Sequence, residues 1–182
     1  IWYDKRQYGK AQDAWEASTK LDDTYPTVLR NLSLVYYNQS NMPEKAKEVL
    51  EKAFFLDTTD ARIFLELDQL YKKLGYSVEN RIAFYEKYPE TFAKRDDVFI
   101  EYITMQNFAG HHEKAYELLM GRKFHPWEGG EGKVTTQYTT SLVELAKKAI
   151  ANENYDSAKA LLEKAIAYPE NLGEGKLEGT KD

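Results

Sequence analysis

The sequence predicts an all-α protein built as a solenoid of antiparallel helix pairs. Three observations predict it. Apolar residues recur three and four positions apart through most of the chain, which is the period of a helix with one buried face. The same order of large and small residues returns after a shift of 35 positions. The stretches between the apolar stripes are short and hold Asn, Ser, Gly and Pro, residues that end helices and make turns.

The repeat is visible when residues 11–37 are laid over residues 46–72. Ala11 falls on Ala46, Trp15 on Leu50, Leu21 on Leu56, Leu29 on Phe64, Leu32 on Leu67 and Tyr36 on Tyr71. Leu21-Asp22-Asp23-Thr24 likewise matches Leu56-Asp57-Thr58-Thr59. Within one unit, Leu29, Leu32, Val35 and Tyr36 make one helical stripe, and Ala46, Val49, Leu50 and Ala53 make the next. The turn between them, residues 38–43, ends in Pro43, and proline suits the first turn of a helix.

Each segment can then be placed in order. Residues 1–23 read as a partial repeat, with Trp2 at the position of Tyr36 and Tyr71, so the chain is expected to start inside a helix of a longer array. Residues 26–59 are a complete repeat and 60–89 a degenerate one, with helices over 61–74 and 78–88 and Asn80 where an early alanine is expected. Residues 96–123 form another, over 97–109 and 112–122, with Ala115 at the small position. Residues 124–138 read as an inserted loop, because Pro126 and three glycines between 129 and 132 forbid helix there. Residues 139–168 form the last repeat and 169–182 a tail rich in glycine and charge.

The spacing of Ala46, Leu50 and Ala53, repeated in Ala158, Leu162 and Ala165, resembles the tetratricopeptide repeat. The resemblance implies a right-handed superhelix in which small residues let the two helices of a pair approach closely. It also implies a ligand groove lined by each first helix. Here that face holds Thr27, Arg30, Leu34, Tyr37 and Asn38, then Arg62, Leu65, Gln69, Lys72 and Lys73, then Ile100, Thr104 and Asn107. The basic side chains suit an acidic or carboxylate-ended peptide. A five-residue carboxylate clamp of the chaperone-binding kind is not implied, because Leu34 stands where an asparagine is needed. The expected partner is thus a protein or peptide segment, or a neighbouring domain of the same chain.

Two stretches stand apart. Residues 122–134 hold Phe124, His125, Trp127 and Glu128 before Gly130-Glu131-Gly132-Lys133, and the tail echoes the last four as Gly173-Glu174-Gly175-Lys176. Both stretches resemble segments of large bacterial tetratricopeptide proteins with an uncharacterised amino-terminal domain (DUF5107), which implies a region of a larger bacterial protein but no established activity for these repeats; the repeat itself, with no catalytic constellation beside it, points to a scaffold. Aromatic residues are unusual in plain linkers, so Phe124, His125, Trp127 and Glu128 are candidate binding residues. In an alternative reading they lie near a glycan site of a carbohydrate-active enzyme, with the rings stacking on sugar and the carboxylates accepting hydroxyl hydrogen bonds.

Composition narrows the rest. The 182 residues carry a net charge of -5 and no basic block, so neither nucleic acid nor an anionic membrane surface is an expected partner. No apolar run approaches the roughly 20 residues that span a bilayer. With no cysteine there are no disulfides or thiolate metal sites, though the compartment stays open. His111, His112 and Glu113 are adjacent, and helical neighbours point about 100° apart, so a shared metal is not expected. Gly129-Gly130-Glu131-Gly132-Lys133 lacks the serine or threonine that a phosphate-binding loop needs after its lysine, because Val134 follows. No nucleophile motif or dinucleotide fingerprint is present, so no cofactor and no catalysis are expected.

Overall fold

The computed structural model describes residue 3 and residues 5–175. The expected helix position of Trp2 and the Lys176-Leu177 end of the tail motif lie outside the described residues. Among the described residues every regular element is helical. The chain divides into two compact units, Ile1–Phe92 and Ala93–Asp182.

The first unit holds α1 (Tyr8–Leu21), α2 (Pro26–Asn38), α3 (Pro43–Leu56), α4 (Ala61–Lys73), α5 (Val78–Lys87) and the short α6 (Pro89–Phe92). Pro26 and Pro43 stand in the first turns of α2 and α3, where no amide is needed for the helix ladder. Asp60 starts α4 by accepting from the amides of Arg62 and Ile63, and Ser77 starts α5 by accepting from that of Asn80. The periodic residues land inside: Leu32, Val35, Tyr36, Ala46, Ala53, Phe54, Phe64 and Leu67 are all buried. Ala46 and Ala53 have no exposed surface, which is what the small-residue positions require for close helix approach.

Successive pairs meet through one repeated joint. The Tyr36 hydroxyl on α2 donates to Glu16 Oε1 on α1 at 2.8 Å. The Tyr71 hydroxyl on α4 donates to Glu51 Oε1 on α3 at 2.9 Å. Burial and then the neighbouring carboxylate push the Tyr71 hydroxyl far above the usual phenol range. Beside this joint, Phe54, Phe64, Phe84 and Tyr88 form an aromatic cluster, with Phe64 and Phe84 stacked 4.5 Å apart. Such pairs contribute about 0.5–1.5 kcal/mol each beyond their buried area.

The degenerate repeat is corrected in one respect. Asn80 is exposed; the residue 35 positions after Ala46 is Arg81, which is 5% exposed. Its guanidinium makes a bidentate pair with Asp68, 2.7 Å on each arm, and the Tyr85 hydroxyl donates to the same carboxylate. Asp68 in turn stands 35 positions after the buried Ser33. The small Ser33 and Ala46 of one repeat have thus been replaced together by an ion pair in the next.

The second unit holds α7 (Asp96–Phe108), α8 (His112–Met120), α9 (Lys133–Ala151), α10 (Tyr155–Ala165) and a 3-10 turn at Glu170–Leu172. The expected loop over 124–138 and helix from 139 are corrected here: helix begins at Lys133. Val134 and Tyr138 enter the core with Ile103, Leu119, Phe124, Leu142 and Leu172, so burial favours two more turns of helix before 139.

Candidate functional site

The groove expected from the repeat forms in the first unit. Arg30, Leu34, Tyr37 and Asn38 of α2 face Glu66, Gln69, Leu70 and Lys73 of α4 across a shallow depression, with Leu50 of α3 at its floor. Periodicity explains the gathering, since residues three, four and seven apart share a helix face. Arg30 makes a bidentate bond to Glu66, so its charge is largely matched. Lys73 keeps its ammonium 5.0 Å above the Tyr37 ring, a cation–π contact. Asn38 and Gln69 are exposed and offer amide donors and acceptors.

Five of the seven candidate residues on these helices therefore meet: Arg30, Tyr37, Asn38, Gln69 and Lys73. Arg62 is exposed and reaches the edge through Glu66, 3.4 Å away. Lys72 is exposed on α4 outside the depression. Glu66 was missed by sequence reasoning, although its place one turn after Arg62 is the signal for such a pair. In the second unit the expected groove face does not form as read. Ile100 is 1% exposed and lies in the core, and Asn107 is buried, donating to Gln137 and accepting from Ser141. His111 and His112 turn back onto α7, to Gln106 and Asn107 respectively.

The 122–134 segment and the tail form one interlocked structure. Asp96, in the first turn of α7, accepts from Arg122 Nε at 2.6 Å and from the His125 amide at 2.9 Å. Burial alone raises the Asp96 pKa, but the His125 amide and the Arg122 guanidinium outweigh it and hold the carboxyl below its ordinary range. Asn171 donates to the carbonyls of Leu119 and Arg122, and its own carbonyl accepts from the Phe124 amide. Glu174 caps α9: one oxygen accepts from the Gly132 amide, the other from the amide and hydroxyl of Thr135.

Gly173 and Glu174 of the tail thus lie against the Gly130-Glu131-Gly132 turn, with Gly132 and Gly173 both at a φ of 75°. At Gly173 a Cβ would stand 2.5 Å from the Phe124 carbonyl oxygen, so only glycine permits this approach.

This arrangement redistributes the candidate loop residues. Phe124 is 1% exposed and belongs to the core, so it has no face to offer a ligand. Trp127 is half-buried and abuts Gly130, where a Cβ would lie 2.2 Å from its ring. His125 and Glu128 are exposed. Trp127, Glu128, Glu131, Val134, Leu172 and Glu174 border a pocket of about 250 Å³. Among the described residues its lining holds three carboxylates and neither lysine nor arginine.

No known family pattern matches the chain. Its fold is similar to several solved structures. A crystal structure of MamA shares 18% identity over 91% of this chain and 90% of that one, with a TM-score of 0.57. YrrB, described as a tetratricopeptide protein with an unusual peptide-binding site, shares 17% over 91% and 79%, also at 0.57. At these identities the likeness establishes the fold, an all-α helical repeat of the tetratricopeptide type.

Proposed function

We propose that the chain is a non-catalytic interaction module whose α2–α4 groove binds an extended peptide segment, from another protein or from a neighbouring domain of a longer bacterial chain. The observation that carries this reading is the convergence of Arg30, Tyr37, Asn38, Gln69 and Lys73 over an apolar floor. Leu34, Leu50 and Leu70 supply apolar contact, and the amides of Asn38 and Gln69 suit a peptide backbone. Arg30 and Lys73 against the single Glu66 leave the lining cationic by one charge, which favours an acidic side chain or a terminal carboxylate. The peptide-binding site of the similarly folded YrrB supports the same use of the fold.

Selection from a random peptide display library tests this. The expected result is enrichment of peptides with an acidic residue, and at least about tenfold weaker binding by Tyr37→Ala and Lys73→Glu, a loss of about 1.4 kcal/mol. Peptides that bind both variants as well as the parent would place the site elsewhere.

A further inference from the structure

The pocket between the 122–134 segment and the tail has a chemistry of its own. Its floor is apolar, from Val134 at the start of α9 and Leu172 of the 3-10 turn, each 1% exposed. One wall is the Trp127 indole. Gly130 lies so close to that ring that a Cβ would meet it at 2.2 Å. The Gly130 amide also donates to the Trp127 carbonyl at 3.0 Å, which closes the turn beside the indole. The ring is thus seated on backbone, and its place is set before any ligand arrives.

The rim is acidic. Glu174 commits both oxygens to the start of α9. Glu128 and Glu131 are exposed, and neither has an ion-pair partner among the described residues. His125, at the edge, turns its Nδ1 to Asp96, 3.2 Å away. Among the described residues no three His, Asp or Glu side chains are grouped closely enough to hold one metal ion. The carboxylates surround the space instead of converging on a point.

An electron-rich ring, an apolar floor and unpaired carboxylates suit one class of ligand. An alkylammonium sets its charge against the indole and the carboxylates, and its methylenes on Val134 and Leu172. The volume of about 250 Å³ is just under the roughly 300–1,000 Å³ of sites for drug-sized ligands, which fits a short chain. A neutral sugar would leave both free carboxylates unmatched in charge, and the second ring it could stack on, Phe124, is in the core.

We infer that this pocket binds a primary alkylammonium group, with Trp127 as its cation–π platform and Glu128 and Glu131 as its hydrogen-bond acceptors. A free aliphatic diamine and a lysine side chain of another protein carry this same chemistry. The site is independent of the α2–α4 groove, whose lining is cationic.

Heteronuclear NMR of the full chain tests this through the indole N–H signal of Trp127, identified by its loss in Trp127→Phe. The probes are cadaverine and, separately, an N-acetylated lysine methylamide. The expected result is a saturable shift of that signal, weakened by added sodium chloride because exposed charges are screened. Tighter binding of cadaverine identifies a free amine as the ligand, and tighter binding of the lysine derivative identifies a protein side chain. Glu131→Gln should weaken binding about threefold, and the double change with Glu128→Gln about tenfold, as expected for exposed charge pairs. Both changes are at the surface and should leave the rest of the spectrum in place. Pentanol, of the same carbon length but uncharged, should leave the signal unmoved. An equal shift by pentanol, no saturable shift by either amine, or unchanged binding by the double variant overturns the inference. So does tighter binding of calcium at the same residues, since the carboxylates then serve a metal ion.

Discussion

The two units hold themselves together by different means. In Ile1–Phe92, cohesion comes from buried rings, repeated joints and a buried ion pair, between residues at most about one repeat apart. In Ala93–Asp182, a loop and a tail clasp each other through polar contacts between residues 39 to 52 apart in the chain. Regular stacking is tolerant, because each joint resembles the next. A clasp is particular, because each of its bonds has one donor and one acceptor that nothing else replaces.

The sharpest way to break this contrast is at Asp68 and Arg81. Arg81→Ala leaves a buried carboxylate without its guanidinium, and removing one member of a buried pair costs about 3–5 kcal/mol. The double change Asp68→Ser with Arg81→Ala restores the residue types at Ser33 and Ala46 of the preceding repeat. It should be at least about 1 kcal/mol more stable than the single variant, through the coupling expected of contacting residues. Urea unfolding measures both, and a double variant no better than the single one sinks the idea that the repeats are interchangeable here.

In the clasp, Gly173→Ala and Gly129→Ala should differ. Both glycines have positive φ, but only Gly173 approaches another backbone, while nothing lies within 4 Å of a Cβ at Gly129. Backbone strain accounts for about 1 kcal/mol in each case, and the clash adds about 1–3 kcal/mol at Gly173. Equal urea midpoints for the two variants would show that the close approach contributes nothing.

The smallest effect is expected with pH. The folded pKa of Asp96 lies below its unfolded value, so its stabilisation is present above the unfolded pKa of about 3.9 and is lost as pH falls through the folded value. Asp96→Asn should therefore lower stability at pH 7 and lose less than the parent between pH 5 and pH 2. Parallel pH profiles for the two proteins would contradict this assignment.

The repeat was legible because Ala46, Leu50, Phe64 and Tyr71 announce burial by residue type and period, and all four are buried. The groove face came from the resemblance, and the helical period only says which of its residues share a side. Arg81 was not legible, since a buried arginine with a distant aspartate looks like a surface pattern until the two meet. Nor was the start of α9 at Lys133, because its cap comes from Glu174, 42 residues from Gly132. Phe124 looked like a ligand platform in a glycine-rich loop; it is core because Leu172 of the tail joins it in one cluster.

The tyrosine–glutamate joint also has a direction. In both joints the donor sits on the incoming helix and the acceptor on the one before it. The two sides differ, as a plug differs from a socket, and such a contact is heterologous rather than self-matching. Growth through it proceeds in one order only, each unit accepting the next, and a mutual two-fold handshake cannot reproduce it.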